Sequence, residues 1–182
     1  MKGILMVVSG PSGVGKGTLV KTLVKRRGDV VESVSCTTRA PRAGEVHGRE
    51  YYFLTREEFE KRIAEGDFLE YDEHFGNYYG TPKSFVREQL KEKSVILEID
   101  VVGALNAKEA FPESVLVMIT PPSVEELKRR LIGRGTETAE EIENRLSRID
   151  YELSQKEKYD KVIVNDELER ALEELGKILD GA

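Results

Sequence analysis

Residues 9–18 have the sequence SGPSGVGKGT, and the chain on both sides of them is apolar. The run ILMVV at 4–8 predicts a buried parallel strand, and residues 19–25 carry apolar side chains at helical spacing. Strand, glycine-rich turn and helix is the context of a phosphate-binding loop. Glycines let successive N–H groups point inward, the helix N-terminus adds a positive dipole, and Lys16 adds a full charge. The stretch therefore predicts a nucleotide-phosphate site; a glycine-rich turn without a ligand is the alternative.

The motif departs from the usual phosphate loop at one position. Gly17 follows the lysine where Ser or Thr is usual, and Thr18 comes one residue later on a different side of the helix. The hydroxyl that normally contacts Mg²⁺ is therefore missing from its place. The predicted residues of the loop are Gly10, Pro11, Ser12, Gly13, Val14, Gly15, Lys16, Gly17 and Thr18.

Composition limits the class of protein. The 182 residues are 39% hydrophobic, enough for one compact α/β core with small insertions. The net charge of −6 disfavours a non-specific nucleic-acid binder, and no apolar run approaches the ~18 residues of a membrane-spanning helix. The single cysteine, Cys36, excludes an internal disulfide and favours a cytoplasmic location.

Strands and helices alternate along most of the chain. Buried strands are predicted at 95–100, 115–119 and 161–164, with helices between them and after the last one. A capping box, Ser123 with Glu126, opens one helix, and the final helix carries Leu168, Leu172, Leu175 and Leu179 on one stripe. This order predicts a mostly parallel sheet with helices on both faces, and a ligand crevice at the carboxyl ends of the strands.

Residues 30–82 follow a different pattern. A β-branched segment at 30–36 and short strands at 51–54, 68–71 and 78–80 lie close in sequence without crossover helices. We expect them to form an antiparallel patch inserted into the main sheet. Thr55 and Glu58 form a capping box for a helix between the strands at 51–54 and 68–71. Pro82 is expected at the first position of the next helix.

Two groups of charged residues are candidates for the chemistry. Glu98 and Asp100 end a buried strand, where a carboxylate orients the water shell of Mg²⁺; a plain strand end is the alternative. Arg39 and Arg42 are three residues apart in a loop and can clamp a phosphate, although a solvated basic turn explains them equally well.

Other residues carry weaker signals. Tyr51 and Tyr79 add hydroxyl donors, and a carboxylate such as Glu70 can accept the paired N–H donors of guanine, which adenine lacks. Arg134, Arg145 and Arg148 follow the third strand and could serve a γ-phosphate from a lid, or lie in salt bridges on a helix surface.

The sequence resembles the guanylate kinase family over essentially its whole length. The segments that carry the resemblance are the loop at 10–18, TTRAPRAGE at 37–45, YYF at 51–53, GNYYG at 76–80, PS at 122–123, GRGT at 133–136 and VND at 164–166. The resemblance implies a P-loop NTPase-type core at 1–34, 83–122 and 156–182, an inserted GMP-binding domain at 35–82 and a helical lid at 123–155. It also implies phosphorylation of GMP by ATP, with Mg²⁺ bound to the ATP phosphates.

The resemblance further implies a role for individual positions. The positions that contact GMP in the family match Ser35, Arg39, Arg42, Tyr51, Glu70, Tyr79, Thr81, Glu98 and Asp100. Asp100 would also contact Mg²⁺ through a water molecule. ATP-contacting positions beyond the loop match Arg134 and Asn165, and the catalytic set is Lys16, Arg42, Arg134 and Arg145. Glu98 stands where some members have Asp, and Gly17 where some have Ser.

Two other classes of protein share parts of this pattern. A catalytically silent scaffolding module would use the same GMP-site surface for protein ligands, but such modules lose the loop and lid residues that this chain retains. A kinase for another nucleotide, such as AMP, shares the loop but gives no reason for Arg39 and Arg42 together with Glu70. No protein partner is required by either substrate, and the use of dGMP is left open.

Overall fold

The computed structural model describes residues 3–74, 76–132 and 139–181, without the side chains at 74, 128, 130–132 and 139–146. The strands among these residues form two sheets, one of five strands and one of four. The strands are β1 Leu5–Ser9, β2 Val30–Glu32, β3 Cys36–Thr37, β4 Tyr52–Phe53, β5 Phe68–His74, β6 Asn77–Pro82, β7 Ser94–Glu98, β8 Val115–Thr120 and β9 Lys161–Val164. The helices are α1 Lys16–Arg26, α2 Arg56–Ala64, α3 Lys83–Gln89, α4 Val101–Ala110, α5 Val124–Ile132, α6 Ala139–Ser154 and α7 Leu168–Leu179.

The main sheet has the order β2-β7-β1-β8-β9, and its pairings are parallel. Because side chains alternate along a strand, Met6 and Val8 face one side with α1 and α7, while Leu5 and Val7 face the other with α3 and α4. Both faces are thus covered by helices, which explains why β1 is apolar throughout. The predicted parallel sheet with helices on both faces is confirmed.

The segment at 30–82 departs from the expectation. Its first part is not one strand, because β2 ends at Glu32 and β3, at Cys36, belongs to a second sheet of order β4-β3-β6-β5. Residues 33–35 cross between the sheets, so Cys36 packs with Phe59 and Phe68 in a separate small core. The patch is therefore its own sheet rather than an insertion into the main one. It is also mixed, since β3 pairs with β4 in parallel and with β6 antiparallel.

Helix starts follow the sequence signals with one exception. The capping box of Thr55 and Glu58 forms in full, and Ser123 accepts a hydrogen bond from the Glu126 N–H at 3.1 Å. Pro82, however, is not the first helical residue. It ends β6 and caps α3 in an extended conformation, because it still pairs with Phe68 across the hairpin.

The last helix covers one face of the main sheet. Leu172, Leu175 and Leu179 are buried there as predicted, whereas Leu168, at the first position of α7, is 38% exposed. Within the described residues, no helix is both long enough and apolar enough to cross a membrane.

Candidate functional site

The loop between β1 and α1 packs tightly against its surroundings. Gly10 has a φ of 139°, and a Cβ there would lie 2.1 Å from the carbonyl oxygen of Ile119 on β8, so only glycine fits. Gly15, with a φ of 97°, precedes α1 and offers no side chain to cap it. The first N–H groups of α1 are therefore directed at the space in front of the loop, where an anion is stabilised by the helix N-terminus.

Lys16 is held over this loop. Its Nζ donates to the carbonyl oxygens of Gly10 at 2.6 Å and Pro11 at 3.0 Å. Burial lowers the pKa of Lys16, while the nearby carboxylates of Glu98, Glu152 and Asp100 act to raise it. Lys16 thus adds a full positive charge at the loop, where the N-terminus of α1 also favours an anion.

The carboxylate of Glu98 faces the position after the lysine. A Cβ at Gly17 would lie 3.5 Å from Glu98 Oε2 and 3.6 Å from Oε1. The space that a Ser or Thr hydroxyl fills in the usual motif is therefore open, and a carboxylate borders it. Glu98 thus lies beside the loop.

A second cavity, the acidic cavity, lies between the second sheet and α4 and has a volume of about 350 Å³. Its lining includes Glu70, Asp72, Asp100, Ser35, Tyr51 and Tyr79. The buried Thr81 hydroxyl donates to Glu70 Oε1 at 2.8 Å and lies 3.4 Å from the Ser35 hydroxyl. Burial raises the pKa of Glu70, and the charges of Asp100 and Asp72 add to that shift. Such a site favours a ligand that brings N–H donors.

Arg39 is fixed at the edge of this region by Glu45. Its two terminal nitrogens donate to the two carboxylate oxygens at 3.0 and 2.9 Å, and its guanidinium lies 5.5 Å from the centre of the Tyr51 ring. Glu45 also accepts a hydrogen bond from the backbone N–H of Arg42 at 2.7 Å. The side chain of Arg42 is exposed. One carboxylate therefore sets the geometry of a loop that carries two arginines.

The loop and the acidic cavity belong to one continuous cleft. A middle cavity is lined by Lys16 and Glu98, which also line the space at the loop, and by Ile99 and Asp100, which also line the acidic cavity. The cleft runs past the carboxyl ends of β1 and β7, where a doubly wound sheet places its ligands.

Comparison with known proteins identifies the family. The guanylate kinase family model matches residues 2–182. The chain is 52% identical to a guanylate kinase of Clostridium perfringens over 98% of its own length and 83% of the relative. The chain belongs to the guanylate kinase family.

Further comparisons agree with this assignment. A guanylate kinase of Caldanaerobacter subterraneus subsp. tengcongensis is 49% identical, with 98% of this chain and 87% of the relative covered. The crystal structure of guanylate kinase from Anaplasma phagocytophilum matches with a TM-score of 0.72 at 38% identity, covering 98% and 85% of the two chains. Shikimate kinase from Bacteroides thetaiotaomicron, at 16% identity, a TM-score of 0.50 and coverage of 97% and 98%, shares the fold alone.

The structure gathers most of the residues that the guanylate kinase resemblance selected. Ser35, Tyr51, Glu70, Tyr79 and Asp100 line the acidic cavity, with Thr81 behind them. Glu98 lies on the phosphate-loop side, away from the acidic cavity, so its contact with GMP stays a prediction. Asp100 also caps α4, because its Oδ1 accepts from the Gly103 N–H at 2.8 Å. Arg134 and the side chain of Arg145 lie outside the described residues.

Sequence reasoning missed several residues of this guanylate kinase site. Glu45 was part of the motif at 37–45, yet its pairing with Arg39 was not foreseen. Glu152 on α6 lines the middle cavity and is only 8% exposed, and the buried Tyr159 hydroxyl bonds to the hydroxyl of Ser9, the last residue of β1, at 2.5 Å. No local pattern marks either residue, because both come from the far end of the chain.

Proposed function

We propose that this protein transfers the γ-phosphoryl group of ATP to the phosphate of GMP, giving ADP and GDP. The observation that carries the proposal is the continuous cleft, with a phosphate loop at one end and the acidic cavity at the other. Two nucleotides bound with their phosphates toward the middle cavity would meet in front of Lys16. The names of the relatives support the choice of GMP as acceptor.

On the donor side, we assign the ATP phosphates to the loop at 10–18 and to Lys16. Asn165, predicted near the adenine, braces this loop through a hydrogen bond to the carbonyl of Val14 at 2.8 Å. We assign Arg134 and Arg145 to the same phosphates, from a lid at 123–155. The core would comprise 1–34, 83–122 and 156–182.

On the acceptor side, we assign the domain at 35–82 to GMP. Guanine would bind Glu70, with Ser35 and Thr81 beside it, since the carboxylate can accept both N1–H and the 2-amino group. Its phosphate would bind Arg39, Arg42, Tyr51 and Tyr79. Adenine would leave the buried acceptor of Glu70 unpaired, so AMP should be rejected.

The chemistry needs little beyond position and charge. The attacking oxygen of GMP is already an anion, so no general base is required. Lys16, Arg42, Arg134 and Arg145 would neutralise the charge that develops between the two phosphates. Holding both nucleotides in line lowers the barrier by removing the entropy cost of their encounter. Closure over the cleft would exclude water and prevent ATP hydrolysis.

Magnesium fits this arrangement as a partner of ATP. Among the described residues, no group of three His, Cys, Asp or Glu side chains could hold a metal by itself. Glu98, open toward Gly17, and Asp100 are the carboxylates that would orient its water shell. When bound, the ion neutralises phosphate oxygens. Its entry with the nucleotide would make a protein hydroxyl at position 17 unnecessary. We also expect a cytoplasmic location and no requirement for nucleic acid or a protein partner.

A coupled assay of ADP release tests this proposal. With Mg²⁺ and ATP present, GMP should be phosphorylated, and AMP should react at less than about a hundredth of the GMP rate. dGMP tests whether the 2′-hydroxyl of the ribose is needed. Lys16→Met should abolish turnover, whereas Lys25→Met, on the exposed side of α1, should not. A preference for AMP would indicate the alternative kinase, and ATP binding without any turnover would indicate a scaffolding module.

A further inference from the structure

Gly103 forms part of the wall of the acidic cavity. It is the third residue of α4, it is buried, and its N–H donates to Asp100 Oδ1 at 2.8 Å. A Cβ at this position would lie 3.3 Å from Asp100 Oδ1, 3.4 Å from Ile99 Cδ1 and 3.5 Å from Glu70 Oε2. These three neighbours line the acidic cavity as well.

The fold itself does not require glycine here. At Gly10 a Cβ would meet a backbone oxygen at 2.1 Å, but at Gly103 the nearest atoms belong to side chains at ordinary or slightly short contact distances. The residue also lies in a regular helix, where alanine is the more favourable residue. The reason for a glycine is therefore to be sought in the cavity that it borders.

The orientation of Glu70 indicates what the room beside Gly103 receives. Oε1 accepts from the Thr81 hydroxyl, and Oε2 is the oxygen that faces Gly103, 3.5 Å from the position of a Cβ there. A methyl group at 103 would cover this side of Oε2 and hold a ligand ring off by about one van der Waals contact, some 3.5–4 Å. Without it, a planar donor can approach both carboxylates and the helix backbone.

We propose that Gly103 is a specificity-determining residue, whose missing side chain leaves the room that seats the 2-amino group of guanine beside Glu70 and Asp100. The proposal rests on the proposed function and deepens it. The 2-amino group is the donor that separates GMP from inosine monophosphate, which keeps N1–H but has only hydrogen at position 2. Glu70 accepts N1–H from both ligands and the 2-amino group from GMP alone, and Gly103 would sharpen that difference by leaving room for the amino group.

Competition binding to the full-length protein tests the assignment. In Gly103→Ala, the dissociation constant of GMP should rise at least tenfold, while those of inosine monophosphate and ATP stay within threefold of wild type. Gly176→Ala is the matched control, because Gly176 also lies inside a helix and a Cβ there has nothing within 4 Å. Both variants should melt no lower than wild type.

A second measurement leaves the protein unchanged. The N2-methyl derivative of GMP keeps one N2–H donor but adds a methyl group where α4 approaches. It should bind wild type at least tenfold more weakly than GMP, and binding within twofold of GMP overturns the proposal even if Gly103→Ala does not fold.

The outcomes separate this inference from the proposed function. GMP binding that is unchanged in Gly103→Ala, or weakened equally with inosine monophosphate, overturns the role of Gly103. Binding of the N2-methyl derivative within twofold of GMP does the same. A wild-type protein that neither binds nor phosphorylates GMP overturns the proposed function itself.

Discussion

The side-chain amide of Asn165 donates a hydrogen bond to the carbonyl oxygen of Val14 at 2.8 Å, across 151 positions of sequence. The backbone N–H of Asn165 bonds in turn to the Thr120 carbonyl at 2.8 Å. A Cβ on Gly15 would lie 2.6 Å from the amide nitrogen, so loop and side chain are packed in direct contact. The shape of the phosphate loop therefore depends on the end of β9 as well as on its own glycines.

Asn165→Ala should weaken ATP binding and leave GMP binding unchanged. The loss of one hydrogen bond, about 0.5–1.5 kcal/mol, corresponds to a rise in KM for ATP of about twofold to about twelvefold. Initial rates with each substrate varied in turn will separate the two constants. Asp166→Asn is the control, since that exposed neighbour pairs with Arg170 outside the cleft. Equal changes in both constants would contradict a role confined to the loop.

Glu70→Gln should lower kcat/KM for GMP by about 10- to 100-fold, because a neutral amide replaces a charged acceptor of two donors. It should change AMP turnover far less, so the GMP-to-AMP ratio falls. Burial raises the pKa of Glu70 above its ordinary value of 4.5, so wild-type kcat/KM for GMP should decline as the pH drops through that raised pKa. The variant should lack this decline; an identical acid limb in both proteins would remove Glu70 from guanine binding.

Although Glu70→Gln should lower activity, it should raise the stability of the protein at neutral and alkaline pH. A carboxyl group whose folded pKa is raised binds protons more readily in the native state, so its contribution to stability is lost as the pH rises through the folded pKa. At pH 8 the free energy of unfolding of Glu70→Gln should therefore exceed that of wild type. The difference should shrink as the pH approaches 4.5, the ordinary value. Urea unfolding at several pH values measures it; a variant less stable at pH 8 would show that the charge is well solvated.

Glu45→Gln should raise KM for GMP about tenfold while KM for ATP stays constant. The substitution removes the charge that holds Arg39 and accepts from the Arg42 backbone, so the phosphate clamp loses its geometry. Steady-state kinetics is the measurement, and Glu60→Gln, in an exposed pair with Arg56 on α2, is the control. A variant that binds GMP as wild type does would show that Arg39 keeps its position without the pair.

Tyr159→Phe should reduce the free energy of unfolding by about 1–2 kcal/mol. The hydroxyls of Tyr159 and Ser9 share a buried hydrogen bond of 2.5 Å, and the change leaves Ser9 unpaired. Ser9→Ala combined with Tyr159→Phe should cost less than the sum of the two single changes. Tyr151→Phe, at a position 52% exposed, should change little. Additive single effects in urea unfolding would argue against the pairing.

Much of the fold followed from local patterns. The apolar run before the loop and the caps at Thr55 and Ser123 indicate elements that depend on nearby residues, and the structure contains them. The short strands between 36 and 82 were harder to place. A two-residue strand such as Cys36–Thr37 carries no periodicity, so nothing local shows which sheet it joins.

The family resemblance selected residues that the structure partly brings together, but it did not predict their pairings. Glu70, Ser35 and Thr81 were selected through the family resemblance, and the structure brings them together. Which carboxylate faces the phosphate loop was not apparent, because Glu98 and Asp100 are two residues apart at a strand end. Of the two, Glu98 lines the space at the loop, whereas Asp100 lines the acidic cavity and caps α4.

By itself, the sequence determined the alternation of strands and helices, the phosphate loop and the family to which the chain belongs, because each depends on spacing along the chain. The tertiary structure alone decided that the acidic cavity adjoins the loop, that Asn165 bonds to the loop and that Gly103 lies beside Glu70. Those relationships join residues that are 33 to 151 positions apart. Contacts over such separations are fixed by how helices and sheets pack, which no short stretch of residues encodes.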